Sequence, residues 1–398
     1  MLRTRSAARR LDRPSSAWSG WPDPAIRARP VRSKIDWSQL DETRRRVSQA
    51  LTSRSWGSHP HPPGPATAHP QIRRHRRSGG ADLDSVICMA ELPDFVFRAT
   101  LRRSTLVNRF GITDHELRGP MWRRPLHGHY CFGFEDATDP TRRIRDAMAV
   151  MPPDGALSGW AAAYVLGVTD LDGRRWSGGL EPVLIALPYH RRIRREGIDT
   201  VRAPLPPTDV TEVKLVRVTT PARTGFELLR RGPLEDAVVA VDAMLRRKVV
   251  TLDEMHEYVN ARSGSKGVPQ ARAALRLADG RAASCPESRM RFVWVVEAGL
   301  PTPEVNRPVH DLSGRMIGIP DLVDEESGLV GEYDGGQHRE LLHHTADNAR
   351  EERLEAAGLT VVRATSLDLK PGRQALVARF RDGRERALRY RGRRRWFL

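Results

Sequence analysis

The stretch GRMIGIPDLVDEESGLVGEYDGGQHRE, residues 314–340, decides how the C-terminal part of this chain folds. It holds two short apolar runs with a turn between them, and each run delivers acidic residues. If the two runs pair as neighbouring strands, Asp321 and Glu332 come close together across the ladder. Glu332 and Asp334 are two residues apart, so their side chains point to the same face of the strand. The stretch therefore predicts three carboxylates gathered at strand ends.

Such a group of carboxylates is predicted to bind a metal ion. Like charges held close together repel one another unless a cation neutralises them, and hard divalent ions such as Mg²⁺ or Mn²⁺ prefer oxygen ligands. A bound Mg²⁺ would lower the pKa of a water molecule and stabilise the charge that develops on a phosphate. The alternative is a polar β-hairpin with a solvated tip. Asp324, Glu325 and Glu326 are assigned to that tip.

The elements around the stretch alternate between helix and strand. A helix is predicted to begin near Ser284, to have Pro286 in its first turn and to stop at Gly299. PEVNRPVHD, RMIGIPDLVD and GLVGEYD predict three strands in a β-meander. A long amphipathic helix ended by Gly358 and the buried strand LTVVRAT follow. The predicted order is αβββαβ.

This order and its residues resemble the PD-(D/E)xK nuclease superfamily, and most closely the endonuclease-like domain related to very-short-patch-repair enzymes. The resemblance covers residues 283–370 and rests on the combined spacing of several short motifs. The matching residues are Ser284, Glu287, Pro320, Asp321, Glu332, Asp334, Gly335, His338, Asp347, Arg350, Leu354, Gly358, Val361 and Arg363. The resemblance implies a restriction-endonuclease-like fold for this domain.

The resemblance also implies a metal-dependent DNA endonuclease. The implied catalytic set is Asp321, Glu332, Asp334, Glu287 and His338, and the first three of these residues would bind Mg²⁺ or Mn²⁺. The superfamily lysine falls at position 334, where this chain has an aspartate. His338 or a second metal ion would therefore have to orient the attacking water.

Several of these residues also have structural alternatives. Glu287 could complete a capping box with Ser284 or pair with Arg291 one helical turn further on. Arg350 could form an ion pair within its own helix, and Arg363 could form a salt bridge. The functional alternative for both arginines is contact with nucleic-acid phosphates.

Residues 89–175 predict a winged helix-turn-helix that binds DNA. Thr113 is a plausible N-cap with Glu116 three residues on, which is the spacing of a capping box. A short helix, basic residues and the strand GHYCFGF follow in the order of a winged helix. Arg123 and Arg124 are the candidate phosphate contacts, and their alternative is a solvated wing.

The front half resembles the winged-helix and linker regions of AbiEi-like antitoxins from type IV toxin–antitoxin systems. The resemblance rests on GITDHELR, GHY at 128–130, SGWAAAYVLG and TTPART. It implies an α/β linker domain at 176–280 and makes a toxin a candidate partner. Two helices are predicted in that domain, Pro221–Arg230 and Leu234–Arg247, together with the strands PVLIALP and VKLVRVT.

The two ends of the chain are predicted to lie outside the folded domains. Residues 1–88 have no sustained hydrophobic period and carry 17 Lys/Arg against 7 Asp/Glu. Such a segment cannot bury enough apolar area to offset the entropy of ordering, which predicts disorder. Globular patterning begins at Met89, so an over-extended gene start is a further hypothesis. Residues 371–398 are interpreted as a basic C-terminal extension.

Composition limits the class of protein. A chain of 398 residues is long enough for two or three domains. A net charge of +17 favours a nucleic-acid partner, although 61 of the 66 basic residues are arginine, as a GC-rich genome also produces. No apolar run is long enough to span a membrane. Three scattered cysteines predict a reducing cytoplasm.

The leading hypothesis is a metal-dependent DNA endonuclease that a winged-helix region delivers to duplex DNA. The alternative is an antitoxin-type DNA-binding transcriptional regulator with a catalytically inactive nuclease fold. A nuclease directed at RNA is a third hypothesis, because the acidic site would interact with the phosphate, which RNA and DNA share, and not with the sugar. The oligomeric state is left open.

Overall fold

A computed structural model of the chain describes residues 99–133, 136–335, 350–390 and 392–398. The predictions for residues 1–88, His338 and Asp347 lie outside the described residues. Helices and sheets alternate along the described chain, which confirms the mixed α/β class.

The first part of the fold is a small unit of helices and one sheet. Its elements are β1 (Leu101–Arg102), α1 (Arg103–Phe110), α2 (Asp114–Leu117), β2 (Trp122–Leu126) and β3 (His129–Phe132). β3 lies between β1 and β2 in an antiparallel sheet, and Leu106 and Trp122 are buried in its core. The predicted capping box is confirmed, because Thr113 and Glu116 exchange side-chain and backbone hydrogen bonds at the start of α2.

The basic segment after α2 is a strand. α2 ends at Leu117, and Pro120 cannot continue a helix because it lacks a backbone N–H. β2 and β3 then form a hairpin whose tip includes Gly128 with a positive φ of 72°. Arg123 and Arg124 therefore lie on the hairpin and not on a helix.

The middle of the chain contains a five-stranded sheet. Its strands are β4 (Ala156–Ser158), β5 (Val183–Leu187), β6 (Ile198–Arg202), β7 (Val210–Val213) and β8 (Val216–Thr219). Helix α3 (Pro140–Met148) precedes the first strand, and helix α4 (Gly159–Val165) follows it. The strand order is β6-β5-β4-β8-β7. Ile144, Trp160 and Ile185 are buried where α3 and α4 pack against the strands. α3 and α4 flank the Pro-Pro-Asp-Gly turn at 152–155, and β4 lies between that turn and α4.

Four helices follow this sheet and form a second core. They are α5 (Pro221–Leu229), α6 (Leu234–Arg246), α7 (Leu252–Asn260) and α8 (Val268–Leu277). Phe226, Met244 and Met255 are buried between them. The predicted starts of α5 at Pro221 and of α6 at Leu234 are confirmed. In the part of the chain that the structure describes, every helix is too short or too polar to cross a membrane.

The C-terminal part is built on a four-stranded mixed sheet. Its helices are α9 (Cys285–Phe292), which continues into the π-helical turn Val293–Glu297, then α10 (350–356) and α11 (Gln374–Arg389). Its strands are β9 (Glu304–Val305), β10 (Val309–Asp311), β11 (Met316–Gly318), β12 (Leu322–Val323), β13 (Leu329–Asp334), β14 (Thr360–Thr365) and β15 (Trp396–Phe397). The main sheet has the order β14-β13-β12-β9, in which only β13 and β14 are parallel.

The predicted β-meander is present as β9, β12 and β13, but an inserted hairpin interrupts it. Segment 304–311 divides into β9 and β10, and segment 316–323 divides into β11 and β12, so each contributes to two sheets. β11 and β12 are separated at Ile319 and Pro320, and a proline cannot donate a hydrogen bond to a ladder. The second sheet has the order β11-β10-β15 and is antiparallel.

The two faces of the main sheet carry separate cores. On one face Trp294 and Phe380 lie with ring centroids 5.1 Å apart and pack with Leu329. On the other face the small sheet and α10 pack against Val323 and Val330. Successive strand residues point to opposite faces, which explains how neighbouring residues serve different cores.

The interpretation of residues 371–398 as an extension is corrected. Phe380 of α11 is fully buried, and Trp396 of β15 is buried beside Val309. Apolar residues at helical spacing among the arginines supply the buried face of α11. The segment therefore completes both cores of the C-terminal part.

A buried ion pair joins the middle and C-terminal parts. Arg291 of α9 donates to Asp242 of α6 over 2.6 Å, and both side chains are almost fully buried. Burial raises the pKa of Asp242, and the charge of Arg291 opposes that shift. Arg289 and Arg373 both form ion pairs with Glu235 on the same junction.

Phe380→Ala is expected to lower the free energy of unfolding by about 3–5 kcal/mol, because it leaves a cavity beside Trp294. The control is Leu388→Ala on the same helix, whose side chain is 49% exposed. Its expected cost is below about 0.5 kcal/mol. Urea unfolding followed by tryptophan fluorescence measures both variants. Equal losses would contradict the placement of α11 in the core.

Candidate active site

The adjoining ends of β12 and β13 bring two acidic residues together. Leu322 lies opposite Gly331 in antiparallel register, so Asp321 and Glu332 occupy the next opposed positions. Directly opposed residues of an antiparallel pair have Cβ atoms about 4.5–5.5 Å apart. The backbone N–H of Tyr333 donates to Oδ2 of Asp321 over 2.7 Å, which orients that carboxylate. The structure thus places Asp321 and Glu332 side by side.

Glu332 is contacted by an arginine of the following helix. The residue is 8% exposed, and Arg350 of α10 donates to its Oε2 over 2.6 Å. The aliphatic part of Arg350 lies against β11, since a Cβ built on Gly318 would come within 3.1 Å of it. A charge-assisted hydrogen bond of this kind is stronger than a neutral one. Arg350 would therefore have to leave Glu332 to contact a phosphate through the same nitrogen.

Asp334 lies at the end of β13, on the same face as Glu332. Tyr333, between them, points to the other face of the strand. Burial together with the charge of Asp334 raises the pKa of Tyr333. Arg363 lies beside Glu332 on the parallel strand β14 and forms an ion pair with Glu351 of α10. Of the two alternatives for Arg363, a salt bridge or a phosphate contact, the structure contains the salt bridge.

Glu287 belongs to the cap of α9. Its Oε1 accepts the hydroxyl hydrogen of Ser284 at 2.8 Å, and its Oε2 accepts the backbone N–H of Ala283 at 2.7 Å. The side-chain amide of Asn306 donates to the same Oε2 over 3.0 Å. Both carboxylate oxygens therefore have structural partners, and Arg291 pairs elsewhere. The helix-cap alternative for Glu287 is therefore present in the structure, and its catalytic role stays a prediction.

Asn306 is a link that the sequence reasoning missed. Its side chain contacts Glu287, while its backbone N–H donates to the carbonyl oxygen of Asp321 over 3.0 Å. Its φ of 49° lies in the left-handed region, which asparagine tolerates better than most residues. The cap of α9 is thereby tied to the strand end that carries Asp321. A lone asparagine between two short strands was a weak signal for this role.

The predicted metal ligands Asp321, Glu332 and Asp334 are all carboxylates. Their oxygens suit Mg²⁺ or Mn²⁺, but no group of three or more His, Cys, Asp or Glu side chains among the described residues is arranged to hold a metal ion. The predicted set of Asp321, Glu332 and Asp334 stays a prediction, and His338 lies outside that part. Mg²⁺ is commonly bound through one or two carboxylates together with substrate phosphates. Asp321 and Glu332 fit this smaller requirement.

The arginines predicted to bind nucleic acid in the front half differ in their surroundings. Arg123 donates to both oxygens of Asp146 at 3.0 and 3.2 Å, which fastens the hairpin to α3. Arg124 is exposed and contacts Nδ1 of His127 at 2.6 Å. Arg124 therefore remains a candidate phosphate contact, whereas Arg123 has a structural partner. Further exposed arginines of this unit are Arg102, Arg109 and Arg118.

Comparison with known proteins gives relatives whose names state no activity. No protein-family model matches the chain, and no solved structure matches it. Two uncharacterized proteins of Mycobacterium tuberculosis, from strains CDC 1551 / Oshkosh and ATCC 25618 / H37Rv, are each 33% identical to the chain over 168 residues. The match covers 41% of this chain and 61% of each relative, which is less than two thirds of their length.

Glu287→Ala is expected to lower the free energy of unfolding by about 1–2 kcal/mol, because the cap of α9 and the contact with Asn306 are lost. Glu355→Ala is the matched control, since Glu355 is an exposed carboxylate on α10. Its expected effect is within about 0.5 kcal/mol. Chemical unfolding measures both, and indistinguishable stabilities would refute the capping assignment.

Proposed function

We propose that the chain is an endonuclease-like protein that hydrolyses phosphodiester bonds of DNA with the help of a divalent cation. The observation that carries the proposal is the opposition of Asp321 and Glu332 on adjacent strands of the main C-terminal sheet. Like charges directly opposed across paired strands are destabilising. A cation-binding role gives this arrangement a chemical reason.

The order of the C-terminal elements supports the proposal. Helix α9, strands β9, β12 and β13, helix α10 and strand β14 follow one another as αβββαβ, with β10 and β11 as an insertion. This is the order expected of the PD-(D/E)xK superfamily. Asp321 immediately precedes the second of these core strands and Glu332 lies on the third, as the superfamily pattern requires.

The residues of the site have distinct parts in the proposed reaction. Asp321 and Glu332 would hold Mg²⁺ or Mn²⁺, which when bound stabilises phosphate charge and lowers the pKa of water. The N–H of Tyr333 keeps the Asp321 carboxylate in one orientation. Asp334 adds negative charge on the same face of β13. Arg350 supplies a positive charge next to Glu332 and is placed to exchange that partner for a phosphate oxygen.

The front unit is proposed to deliver the protein to duplex DNA. Helices α1 and α2 followed by the β2–β3 hairpin have the order of a winged helix-turn-helix. Arg124 and the other exposed arginines of this unit would contact phosphates, so affinity would fall as salt concentration rises. The proposed action on DNA and the scattered cysteines both favour a cytoplasmic location.

The full-length protein is expected to nick or cleave plasmid DNA in Mg²⁺ or Mn²⁺ but not in EDTA. Asp321→Asn and Glu332→Gln preserve side-chain shape, and each is expected to slow cleavage by at least about 100-fold because a cation ligand is weakened. Glu325→Gln at the exposed hairpin tip is the matched control. Agarose gel electrophoresis measures the rates. Cleavage that survives the double substitution at Asp321 and Glu332 would overturn the site assignment.

The ion pair of Glu332 with Arg350 favours a second candidate function. A salt bridge that satisfies an acidic residue is expected in a nuclease fold kept only as a scaffold. The small number of converging ligands in the described part of the chain points the same way. The second candidate is an antitoxin-type DNA-binding transcriptional regulator, which would bind an operator without metal and would not cleave it.

Arg350→Ala distinguishes these two functions. Loss of the guanidinium leaves the Glu332 carboxylate to a cation, so an active site is expected to bind Mn²⁺ about tenfold more tightly. Arg353→Ala, at an exposed position of the same helix, is the control. Isothermal titration calorimetry measures Mn²⁺ affinity. The regulator is favoured if neither the wild type nor Arg350→Ala binds Mn²⁺ while the protein binds a specific DNA sequence in EDTA.

A further inference from the structure

The small sheet of β11, β10 and β15 has one buried face and one exposed face. Ile317 and Trp396 are buried in the core beneath it. On the opposite face, His310 lies opposite Met316 on one neighbouring strand and opposite Phe397 on the other. These three residues therefore form a row across the sheet, which we call the apolar platform.

The apolar platform is open to solvent. Met316 is 55% exposed and Phe397 is 43% exposed. The rings of His310 and Phe397 are stacked, with centroids 5.5 Å apart and planes inclined by 24°. Two nearly parallel rings beside a polarisable thioether offer a surface on which a planar ring can pack. The core beneath the sheet is filled from the other face, so packing does not explain why these side chains are apolar.

Basic residues border the apolar platform. Arg315 directly precedes Met316, and Arg395 lies two residues before Phe397. Both arginines are exposed, as is Arg393. A positively charged rim around an apolar row is complementary to a strand whose bases are apolar and whose backbone is anionic.

The acidic residue of the β10–β11 hairpin is Asp311, and its carboxylate has hydrogen-bond partners within the hairpin. Asp311 accepts hydrogen bonds from the backbone N–H and hydroxyl of Ser313 and from the backbone N–H of Arg315. These contacts hold the carboxylate in the turn between β10 and β11 and lower its pKa. Asp311 therefore stays anionic, and the positive charge of the rim comes from the exposed arginines alone.

The apolar platform is close along the chain to the candidate active site. Asp321 lies five positions after Met316, a span of at most about 18 Å even when extended. Gly318 of β11 lies against Arg350, which contacts Glu332. One strand thus borders both the apolar row and the acidic pair.

We propose that the apolar platform stacks an unpaired base of the nucleic-acid strand that the acidic pair acts on. This inference rests on the proposed function and adds its substrate class, a nucleic acid with a single-stranded segment. Aromatic side chains stack bases with little regard to sequence. Bases within an intact duplex are already stacked and paired, so a flat protein surface reaches an unpaired base more readily.

A second copy of the chain fits the apolar platform less well. Stable protein–protein interfaces bury about 1,200–2,000 Å², whereas the apolar platform consists of two exposed side chains and the half-buried His310, on strands of two or three residues. A symmetric contact would also bring Arg315 and Arg395 toward their own copies, and like charges disfavour that approach.

The test uses the full-length protein in EDTA, fluorescein-labelled single-stranded DNA and the same strand with abasic sites. Wild-type protein is expected to bind the strand with bases about tenfold more tightly than the abasic strand, and Phe397→Ala is expected to remove this difference. Met316→Ala, which leaves β15 unchanged, is expected to reduce it about threefold. Leu367→Ala is the control, because Leu367 is 72% exposed outside the platform. Fluorescence anisotropy measures each affinity.

Phe397→Trp provides a second readout. The indole keeps a stacking surface, so the variant is expected to retain the preference for bases, and its fluorescence is expected to be quenched by the strand with bases but not by the abasic strand. Preference for bases that survives both Phe397→Ala and Met316→Ala would overturn the platform and leave the endonuclease proposal standing. Failure of the wild type to bind any nucleic acid would overturn both. A fall from dimer to monomer in Phe397→Ala, by light scattering, would reassign the face to self-association.

Discussion

The buried ion pair between Arg291 and Asp242 is the interaction on which the connection of the two halves depends. Neither charge can be buried alone, and breaking such a pair by removing one partner costs about 3–5 kcal/mol. Arg291 lies on the helix whose cap contains Glu287, and Asn306 ties that cap to the backbone of Asp321. The sequence pattern changes between residues 280 and 283, but the packing continues across that point.

Local signals made much of the fold predictable. Prolines and capping residues marked the starts of α2, α5 and α9, and glycine marked the end of the helix at Gly299. Partners that are distant in the chain left no such signal. β15 pairs with β10 although Asp311 and Trp396 are 85 positions apart in the chain. The hairpin inserted in the meander and the role of the C-terminal segment were missed for the same reason.

The positions of the acidic residues on the strands were predictable from the sequence, whereas the hydrogen-bond partners of the site residues were not. The period of two placed Glu332 and Asp334 on one face, and the pairing of the two apolar runs was enough to predict Asp321 near Glu332. The spacing of Ser284 and Glu287 suits a cap as well as a catalytic acid, and only the contacts with Ala283 and Asn306 show the cap. Arginines are similarly ambiguous in a chain with 61 of them.

The passage of one chain segment between two sheets has a consequence for how the protein tolerates change. Gly318 is registered against Val309 in the small sheet, and Leu322 is registered against Gly331 in the main sheet. Both ends of the connection are thus fixed, and a change in its length that shifted β12 by one residue against β13 would turn Asp321 toward the opposite face. The number of residues in this connection, rather than their identity, is what keeps the acidic pair together.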